Sequence, residues 1–328
     1  MLEYLEKNLG YDIVLWFESW VTPLVENIFK PFDLFGSQFL YVALICLFYW
    51  SIDKQKGKAI SVVFLFSCYI NDLFKLIFSR PRPYQVIVPT KPQISCALEP
   101  LSSYGLPSGH TQSTTSFFLA ASLWFKKNYL WAISILLILL VPLSRLIHRM
   151  HYPQDIVVGY LLAFIVVFAA YFARPLVVKG YKKFGKKIVM PALIIICGFI
   201  FLSAFLVRGE TWRKETIFEL ATLFCVGLLG YIIEHYFIKF SSSGSLLKRI
   251  VRVILGLGVL VVLKIGMNFA FSPLKPQSQS EITSLYILFE CIESMVLVLW
   301  ITCGAPAFFI VTSLAYKEKS SLTFNGLK

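Results

Sequence analysis

Three short stretches of the sequence hold basic and imidazole side chains of the kinds that bind and cleave phosphate esters. They are residues 75–82, 107–110 and 144–155. Lys75, Arg82 and Arg145 supply one ammonium and two guanidinium groups. Guanidinium forks match the oxygens of a phosphate, and an ammonium adds a compact positive charge. These three side chains predict a cage for a multiply charged oxyanion.

His151 is the candidate nucleophile of this set. Asp155 follows it by four residues, a spacing that suits one face of a helical turn. A carboxylate that accepts from one imidazole nitrogen fixes the tautomer and leaves the other nitrogen free to attack. His110 can then donate a proton to the departing alkoxide. His148 lies one helical turn from His151, but the spacing to Arg145 and Asp155 favours His151.

Residues 107–110, Pro-Ser-Gly-His, predict the start of a helix that binds an anion. The first turn of a helix has free backbone N–H groups, and the helix dipole adds positive potential there. Few carboxylates lie in the three stretches, and the cysteines show no metal-ligand spacing. The sequence therefore predicts phosphoryl transfer with no metal and no other cofactor.

The order and internal spacing of these stretches resemble the signature motifs of the type 2 phosphatidic acid phosphatase (PAP2) superfamily. The matching positions are Lys75, Arg82 and Pro83, then residues 107–110, then Ser144, Arg145, His151 and Asp155. Three motifs in the right order are a specific signal. The resemblance covers about residues 36–175, whereas residues 188–328 match no motif.

The resemblance implies a role for each residue in the motifs. It makes His151 the nucleophile, Asp155 its support and His110 the proton donor to the leaving group. It also implies a helical bundle with its site at the outer membrane surface. The residues that would hold the phosphoryl oxygens are Lys75, Arg82, Ser108, Gly109 and Arg145.

The composition predicts the elements that position these residues. Of the 328 residues 57% are hydrophobic and only 15% are charged, more apolar surface than a soluble domain can bury. We therefore predict an all-α fold, a polytopic transmembrane helical bundle with a PAP2-like core and additional C-terminal transmembrane helices. The nine predicted spans are 36–52, 58–78, 110–126, 129–147, 155–173, 188–207, 216–238, 250–270 and 284–313.

The distribution of lysine and arginine predicts the orientation in the bilayer. Alternate connections between the spans carry most of these residues, and the positive-inside rule places that side in the cytoplasm. The three motif stretches and the N-terminal segment then face outward. Because the net charge of +13 follows the membrane, no nucleic-acid partner is expected. We expect a multi-pass protein of a bacterial plasma membrane, and the sequence leaves its oligomeric state open.

Five parts are predicted along the chain. They are an amphipathic interfacial segment without signal-peptide features at 1–32, a catalytic core at 33–175, a basic cytoplasmic loop at 176–187, C-terminal transmembrane helices of unknown role at 188–315, and a cytoplasmic tail at 316–328. Trp16 and Trp20 should lie at headgroup level, and Arg80 and Arg149 should make headgroup or surface contacts. Lys264, Glu290 and Glu293 fall inside apolar runs, and the similar depth of Lys264 and Glu290 predicts an ion pair or polar cluster between their two helices.

The leading hypothesis for function is hydrolysis of a phosphomonoester or diphosphate on a phosphorylated lipid, through a phosphohistidine intermediate. Two alternatives stay open at this point. The phosphoryl group could pass to a second lipid, or the cage could bind a lipid headgroup in a transporter. No residue in the sequence selects a particular lipid.

Overall fold

Helices account for nearly all of the residues that the computed structural model describes, which are 10–86, 104–207, 214–276 and 281–318. The α-helices are α1 (Tyr11–Trp20), α2 (Pro23–Phe29), α3 (Gln38–Leu47), α4 (Lys54–Phe78), α5 (Pro83–Val86), α6 (Gly109–Phe125), α7 (Asn128–Ile147), α8 (Pro153–Phe184), α9 (Lys186–Leu206), α10 (Glu215–Ile233), α11 (Leu246–Ala270), α12 (Ser284–Leu299) and α13 (Ala305–Val311). A 3-10 turn, Lys30–Gly36, follows α2. The predicted all-α fold is confirmed.

Seven helical segments of the described chain, each of 20 residues or more once consecutive helices are joined, are long and apolar enough to cross a membrane; Ser284–Val311, for example, joins α12 and α13. The segments Pro23–Gly36 and Gln38–Ile52 meet at a bend of 59° and would make an eighth span. All nine predicted segments are helical, but nine spans is too many by this measure. The main exception is α6, which has 17 residues and is mostly buried in protein, so that it retains many polar side chains. The chain is a multi-pass integral membrane protein.

The chain divides into two compact units. The first consists of Met1–Tyr41, Phe66–Phe184 and Leu206–Gly209, and the second of Val42–Leu65, Gly185–Phe205 and Glu210–Lys328. The first unit contains all three motif stretches. The predicted division at 33–175 and 188–315 follows the order of the chain, whereas residues 42–65 cluster with the second unit.

In the first unit, α6 packs against both α7 and α8. Ser122 on α6 and Ser134 on α7 share a hydrogen bond of 2.7 Å between their hydroxyl oxygens. Gly159 of α8 lets that helix approach the start of α6, since an added Cβ would lie 3.0 Å from the carbonyl oxygen of Ser108. Small residues permit close helix packing in membranes. This packing holds the start of α6 beside the start of α8, where two of the motifs lie.

A clasp of side-chain amides joins α4 to α6. Asn71 Nδ2 donates to Gln112 Oε1 at 2.8 Å, and Gln112 Nε2 donates to the carbonyl oxygen of Ser67 at 2.8 Å. Both amides are buried, and a buried polar group needs such partners. Lys75 lies one helical turn beyond Asn71, so the clasp fixes the depth of Lys75 relative to the start of α6.

The N-terminal segment packs on the first unit with its acidic residues inward. Glu18 and Glu26 are buried, whereas the indole rings of Trp16 and Trp20 are exposed. Phe17 contributes to a cluster that includes Ile147 of α7. The exposed tryptophans agree with the predicted headgroup position, but the inward carboxylates show that the segment also contributes to the protein interior.

Residues 176–184 are helical, although the sequence predicts a loop over 176–187. Helix α8 continues through them and ends at Phe184, next to Gly185 with φ of +57°. Lysine and leucine have good helix propensity, and a single glycine inside a helix, here Gly180, costs only about 1 kcal/mol, so the basic stretch need not interrupt the helix. The break falls at the residue that adopts a left-handed conformation most readily.

The second unit has a buried ionic cluster and a buried arginine. Glu234 is fully buried and pairs with Lys54, at 3.2 Å, and with Lys58. Arg252, also fully buried, donates to carbonyl oxygens on three segments, including those of Trp50 at 2.8 Å and Leu314 at 3.0 Å. These contacts tie loops to helices within that unit.

Lys264 of α11 forms an ion pair with Glu293 of α12. The prediction of a charge pair between these two helices is confirmed, but its acidic member is Glu293 and not Glu290. Three residues along a helix rotate the side chain by about 300°, so similar depth did not determine which glutamate faces α11.

Candidate active site

The site lies wholly in the first unit, at the ends of four helices. Helix α4 and the residues after it carry Lys75 and Arg82, and the start of α6 carries the second motif. The turn between α7 and α8 carries the third. The unit thus contains all eight predicted residues: Lys75, Arg82, Ser108, Gly109, His110, Arg145, His151 and Asp155.

His151 and Asp155 form the predicted pair at the start of α8. His151 Nδ1 lies 3.2 Å from Asp155 Oδ2, and the backbone N–H of Tyr152 donates to the same oxygen at 2.9 Å. Both side chains are almost completely buried. An ionised carboxylate can only accept, so it fixes the proton of His151 on Nδ1.

His151 Nε2 is buried and has no hydrogen-bond partner among the residues that the structure describes. Burial lowers the pKa of His151 well below its ordinary value of 6.5. The positive charges of Arg82, His110, Lys75 and Arg145 lower this pKa further. The imidazole is therefore neutral at neutral pH, and Nε2 carries a lone pair facing a basic environment.

Ser108 is the N-cap of α6. Its hydroxyl oxygen accepts from the N–H of Thr111 at 3.4 Å and from the hydroxyl of Thr111 at 3.0 Å. Its own N–H donates to the carbonyl oxygen of Asp155 at 3.0 Å, which ties α6 to the start of α8. The structure thus assigns Ser108 a structural role, and its predicted contact with phosphate stays a prediction.

Gly109 lies beside the ammonium group of Lys75. A Cβ built on Gly109 would be 3.5 Å from Lys75 Nζ, which itself lies 3.7 Å from Asp72 Oδ1. Because the first helical N–H groups have no intrahelical acceptor, the start of α6 and this ammonium point to one anion position.

Arg82 is buried and approaches the catalytic pair through Gly105. A Cβ added to Gly105 would lie 3.2 Å from Asp155 Oδ2 and 3.4 Å from Arg82 Cγ. The backbone of Gly105 therefore lies between the aliphatic part of Arg82 and the carboxylate of Asp155, and it is packed closely against both.

Arg145 joins the histidines of the second and third motifs. Its Nη1 lies 3.3 Å from His110 Nε2, and its Nη2 lies 3.4 Å from His148 Nδ1. His148 Nε2 lies 3.1 Å from the carbonyl oxygen of Glu26, so it carries the proton and donates it. Burial lowers the pKa of His148 as well. His148 thus supports Arg145 and does not face the position of the nucleophile.

Two carboxylates near the N-terminal end of the described chain were missed by sequence reasoning: Glu26 of α2, and Asp33 of the 3-10 turn that follows it. Asp33 pairs with Arg145 and lies 3.2 Å from His148 Nδ1, and Glu26 pairs with Arg149. The prediction that Arg149 contacts headgroups is wrong, because its side chain is buried against Glu26. Acidic residues inside an apolar segment were the available signal, but their basic partners lie more than a hundred residues away.

The 3-10 turn that carries Asp33 also bounds the site at His110. A Cβ on Gly36 would lie 1.8 Å from His110 Nε2, so the glycine backbone abuts the imidazole ring. The hydroxyl of Tyr41 donates to the carbonyl oxygen of Phe35 at 2.8 Å and lies 2.9 Å from Thr114 Oγ1 of α6. These contacts hold the turn against the helix that presents His110.

The arrangement suits an anion and a nucleophilic attack on it. A neutral, unpartnered imidazole nitrogen lies among two guanidinium groups, an ammonium group and a second imidazole. Among the described residues, no group of three or more His, Cys, Asp or Glu side chains is placed to hold a metal ion.

Two family models match the chain. One, described as the PAP2 superfamily, matches residues 56–179, which contain all three motifs. The other, described as the transmembrane extension of PAP2 superfamily phosphatases, matches residues 218–317. The second match assigns the motif-free part of the chain, which the sequence alone left without a relation.

Several curated proteins are similar to the chain. Sphingosine-1-phosphate phosphatase 2 of Mus musculus is 25% identical over 212 residues, which cover 62% of this chain and 57% of that protein. Sphingosine-1-phosphate phosphatase 1 of Rattus norvegicus is 26% identical over 186 residues, 55% of this chain and 41% of that protein. Undecaprenyl-diphosphatase of Sulfolobus acidocaldarius is 23% identical over 165 residues, 48% of this chain and 75% of that protein.

The chain spans about half the length of the two sphingosine-phosphate relatives. No solved structure matches it significantly.

Proposed function

The chain belongs to the PAP2 superfamily, and from this premise we propose that it is a membrane phosphatase that hydrolyses a phosphate or diphosphate ester of a lipid. The observation that carries the proposal is the buried Nε2 of His151, which has no hydrogen-bond partner among the described residues. An unpaired buried nitrogen costs free energy. A nucleophilic role, in which the lone pair of Nε2 attacks the phosphorus atom of the substrate, accounts for the fact that this nitrogen is left unpaired.

In the first chemical step, His151 Nε2 attacks phosphorus in line with the ester oxygen. The N–P bond forms as the P–O bond to the lipid breaks, and the electron pair leaves on the lipid oxygen. His110 donates a proton to that oxygen, and Nδ1–H of His151 stays bonded to Asp155 as the ring becomes cationic. Arg82, Arg145 and Lys75 balance the charge on the phosphoryl oxygens.

In the second step, water attacks the phosphohistidine and releases inorganic phosphate. His110, now neutral, accepts a proton from the water, so the two steps together return both histidines to their starting state. The start of α6, at Ser108 and Gly109, binds the phosphoryl oxygens in both steps.

The substrate class follows from the elements around the site and from the relatives. Three of the four helices that carry the motifs, α4, α7 and α8, are long and apolar enough to cross a membrane, so the hydrocarbon part of the substrate would lie in the bilayer. The relatives are named for a phosphorylated sphingoid base and for a polyprenyl diphosphate. We propose a long-chain lipid phosphate or diphosphate, with the site on the extracytoplasmic side.

The proposal is tested by phosphate release in detergent from a panel of lipids. The panel contains a sphingoid-base phosphate, phosphatidic acid and a polyprenyl diphosphate, and the variants are His151→Ala and His235→Ala. His235 is exposed and lies in the second unit, which makes it a matched histidine control. His151→Ala should lower kcat by at least about 10³-fold, whereas His235→Ala should match the wild type.

Labelled substrate should also leave acid-labile phosphate on the wild-type protein and none on His151→Ala. Wild-type activity in the His151→Ala variant would rule out the nucleophile. Absence of phosphate release from the whole panel by the wild type would rule out the hydrolase. Label that appears in a second lipid instead of in free phosphate would favour phosphoryl transfer between lipids.

A further inference from the structure

Asp33 lies outside the three motifs and before the region matched by the PAP2 model, yet it contacts the phosphate-binding arginine. Its Oδ1 pairs with Arg145 Nη2 and lies 3.2 Å from His148 Nδ1. The side chain of Asp33 is 12% exposed, and that of Arg145 is 2% exposed. This is a protected ion pair, and it belongs to a part of the chain that the motifs do not describe.

Asp33 and His110 lie beside different nitrogens of the Arg145 guanidinium group. Nη2 is engaged by Asp33 and by His148, while Nη1 lies 3.3 Å from His110 Nε2. The guanidinium is planar, so fixing one edge fixes the direction of the other. The edge near His110 is the one beside the atom that would protonate the leaving group.

The charge balance of the site supports the same role. Arg145, Arg82, Lys75 and two histidines share a largely buried space, and Asp155 is already engaged by His151 and by the N–H of Tyr152. A buried guanidinium needs an acidic partner or hydrogen-bond acceptors to offset its desolvation. Asp33 supplies such a partner from the side of the N-terminal segment.

We infer that Asp33 is a positioning residue that acts through Arg145, so that the N-terminal 3-10 turn is part of the active site. The inference rests on the proposed function and deepens it. Asp33 does not touch the substrate. It holds Arg145 in the orientation in which Nη1 can bind a phosphoryl oxygen next to His110.

The test is a double-mutant cycle between Asp33 and Arg145, measured as phosphate release in detergent. Asp33→Ala should lower kcat by about 10- to 100-fold, because a misplaced binding group costs up to about that much. Asp33→Asn keeps the size and one acceptor oxygen and should give a smaller loss. In the Arg145→Ala background, Asp33→Ala should add less than about 3-fold, since residues that act through one another are not additive.

The matched control is Asp12→Ala, which removes an exposed carboxylate from the same N-terminal segment. It should stay within about 2-fold of the wild type. If Asp33 served folding alone, its effect would multiply with that of Arg145→Ala, and the inference would be overturned. If Asp33→Ala does not fold, the cycle with Asp33→Asn decides in the same way.

A second readout does not depend on turnover. Orthovanadate, an analogue of the five-coordinate phosphoryl group, should raise the Tm of the wild type and protect Asp33→Ala at about 10-fold higher concentration. Equal protection of both proteins would overturn the role of Asp33. This holds even if no lipid in the panel is hydrolysed, so failure of this inference is distinguishable from failure of the proposed function.

Discussion

At the scale of single residues, burial determines the protonation state of His151. The folded protein holds the pKa of His151 well below 6.5, so the unfolded chain binds its proton first as the pH falls. Stability is therefore fully present above about pH 6.5 and decreases as the pH falls through the folded pKa. Over the same range the folded protein keeps the imidazole of His151, the proposed nucleophile, neutral.

The prediction is that His151 stays neutral when the pH is lowered through 6.5. Nitrogen-15 spectra of histidine-labelled protein in detergent should contain a signal that is lost in His151→Gln, which assigns it to His151, and this signal should remain that of an unprotonated imidazole at pH 6. A His151 signal that titrates at or above pH 6.5 would contradict both the burial and the basic surroundings described for this ring.

A second residue-scale prediction concerns Gly36. Its missing Cβ leaves space that His110 occupies, because an added Cβ would lie 1.8 Å from Nε2 of that ring. The end of a side chain can move at small cost, so Gly36→Ala should leave the Tm nearly unchanged. It should lower kcat by about 10-fold or more by displacing the proton donor.

Gly180→Ala is the matched comparison, since a Cβ there would meet nothing within 4 Å apart from neighbouring residues of its own helix, and this variant should keep the wild-type kcat. If Gly36→Ala keeps the wild-type kcat, the reaction does not depend on the present position of the His110 imidazole.

The eight motif residues could be predicted from the sequence because their spacing is local and their chemistry is unusual for an apolar chain. Asp33 and Glu26 could not. Each lies more than a hundred residues from its basic partner, and no local pattern links them. The packing of α2 and the 3-10 turn on α7 creates those pairs. The spacing of residues along the chain does not reveal which distant segments pack together.

At the scale of elements, helix periodicity predicted the segments well, and their contacts less well. Lys264 and Glu290 have the right depth for a pair, but the rotation of α12 turns Glu293 toward α11 instead. Likewise, the basic stretch after Arg174 continues α8, because lysines on an exposed helical face carry no signal to stop.

The pair of Lys264 with Glu293 gives the prediction at this scale. Glu293 is buried, whereas the side chain of Lys264 is 37% exposed. Lys264→Met should lower the free energy of unfolding by roughly 1–3 kcal/mol, less than the roughly 3–5 kcal/mol of a fully buried pair. Replacing both residues by methionine should recover much of the loss, because no unpaired carboxylate then remains.

Thermal unfolding in detergent measures both variants, and Lys182→Met, at an exposed position of α8, controls for the loss of a lysine. If the double variant is less stable than Lys264→Met alone, the Glu293 carboxylate stabilises the protein through contacts other than its ion pair with Lys264. Phosphate release should be unaffected, since neither residue belongs to the first unit.

At the scale of the whole molecule, the first unit places its chemistry and its lysines at opposite ends of the same helices. Helix α6 begins after Ser108 and ends before Lys126, α7 begins after Lys127 and ends at the turn that carries the third motif, and α8 has Lys182 in its last turn. Helix α7 has 20 residues, about 30 Å, which matches the hydrocarbon thickness. Under the positive-inside rule the lysine end is cytoplasmic.

We therefore expect the site to be extracytoplasmic, which single cysteines can test in intact cells. Val86→Cys lies after the first motif and Lys127→Cys at the lysine end, and both positions are exposed. In a Cys96→Ser background, a membrane-impermeant maleimide should label Val86→Cys in intact cells and Lys127→Cys only after lysis. The reverse pattern would place the phosphate cage in the cytoplasm, and the lipid would then have to present its phosphate to the inner leaflet.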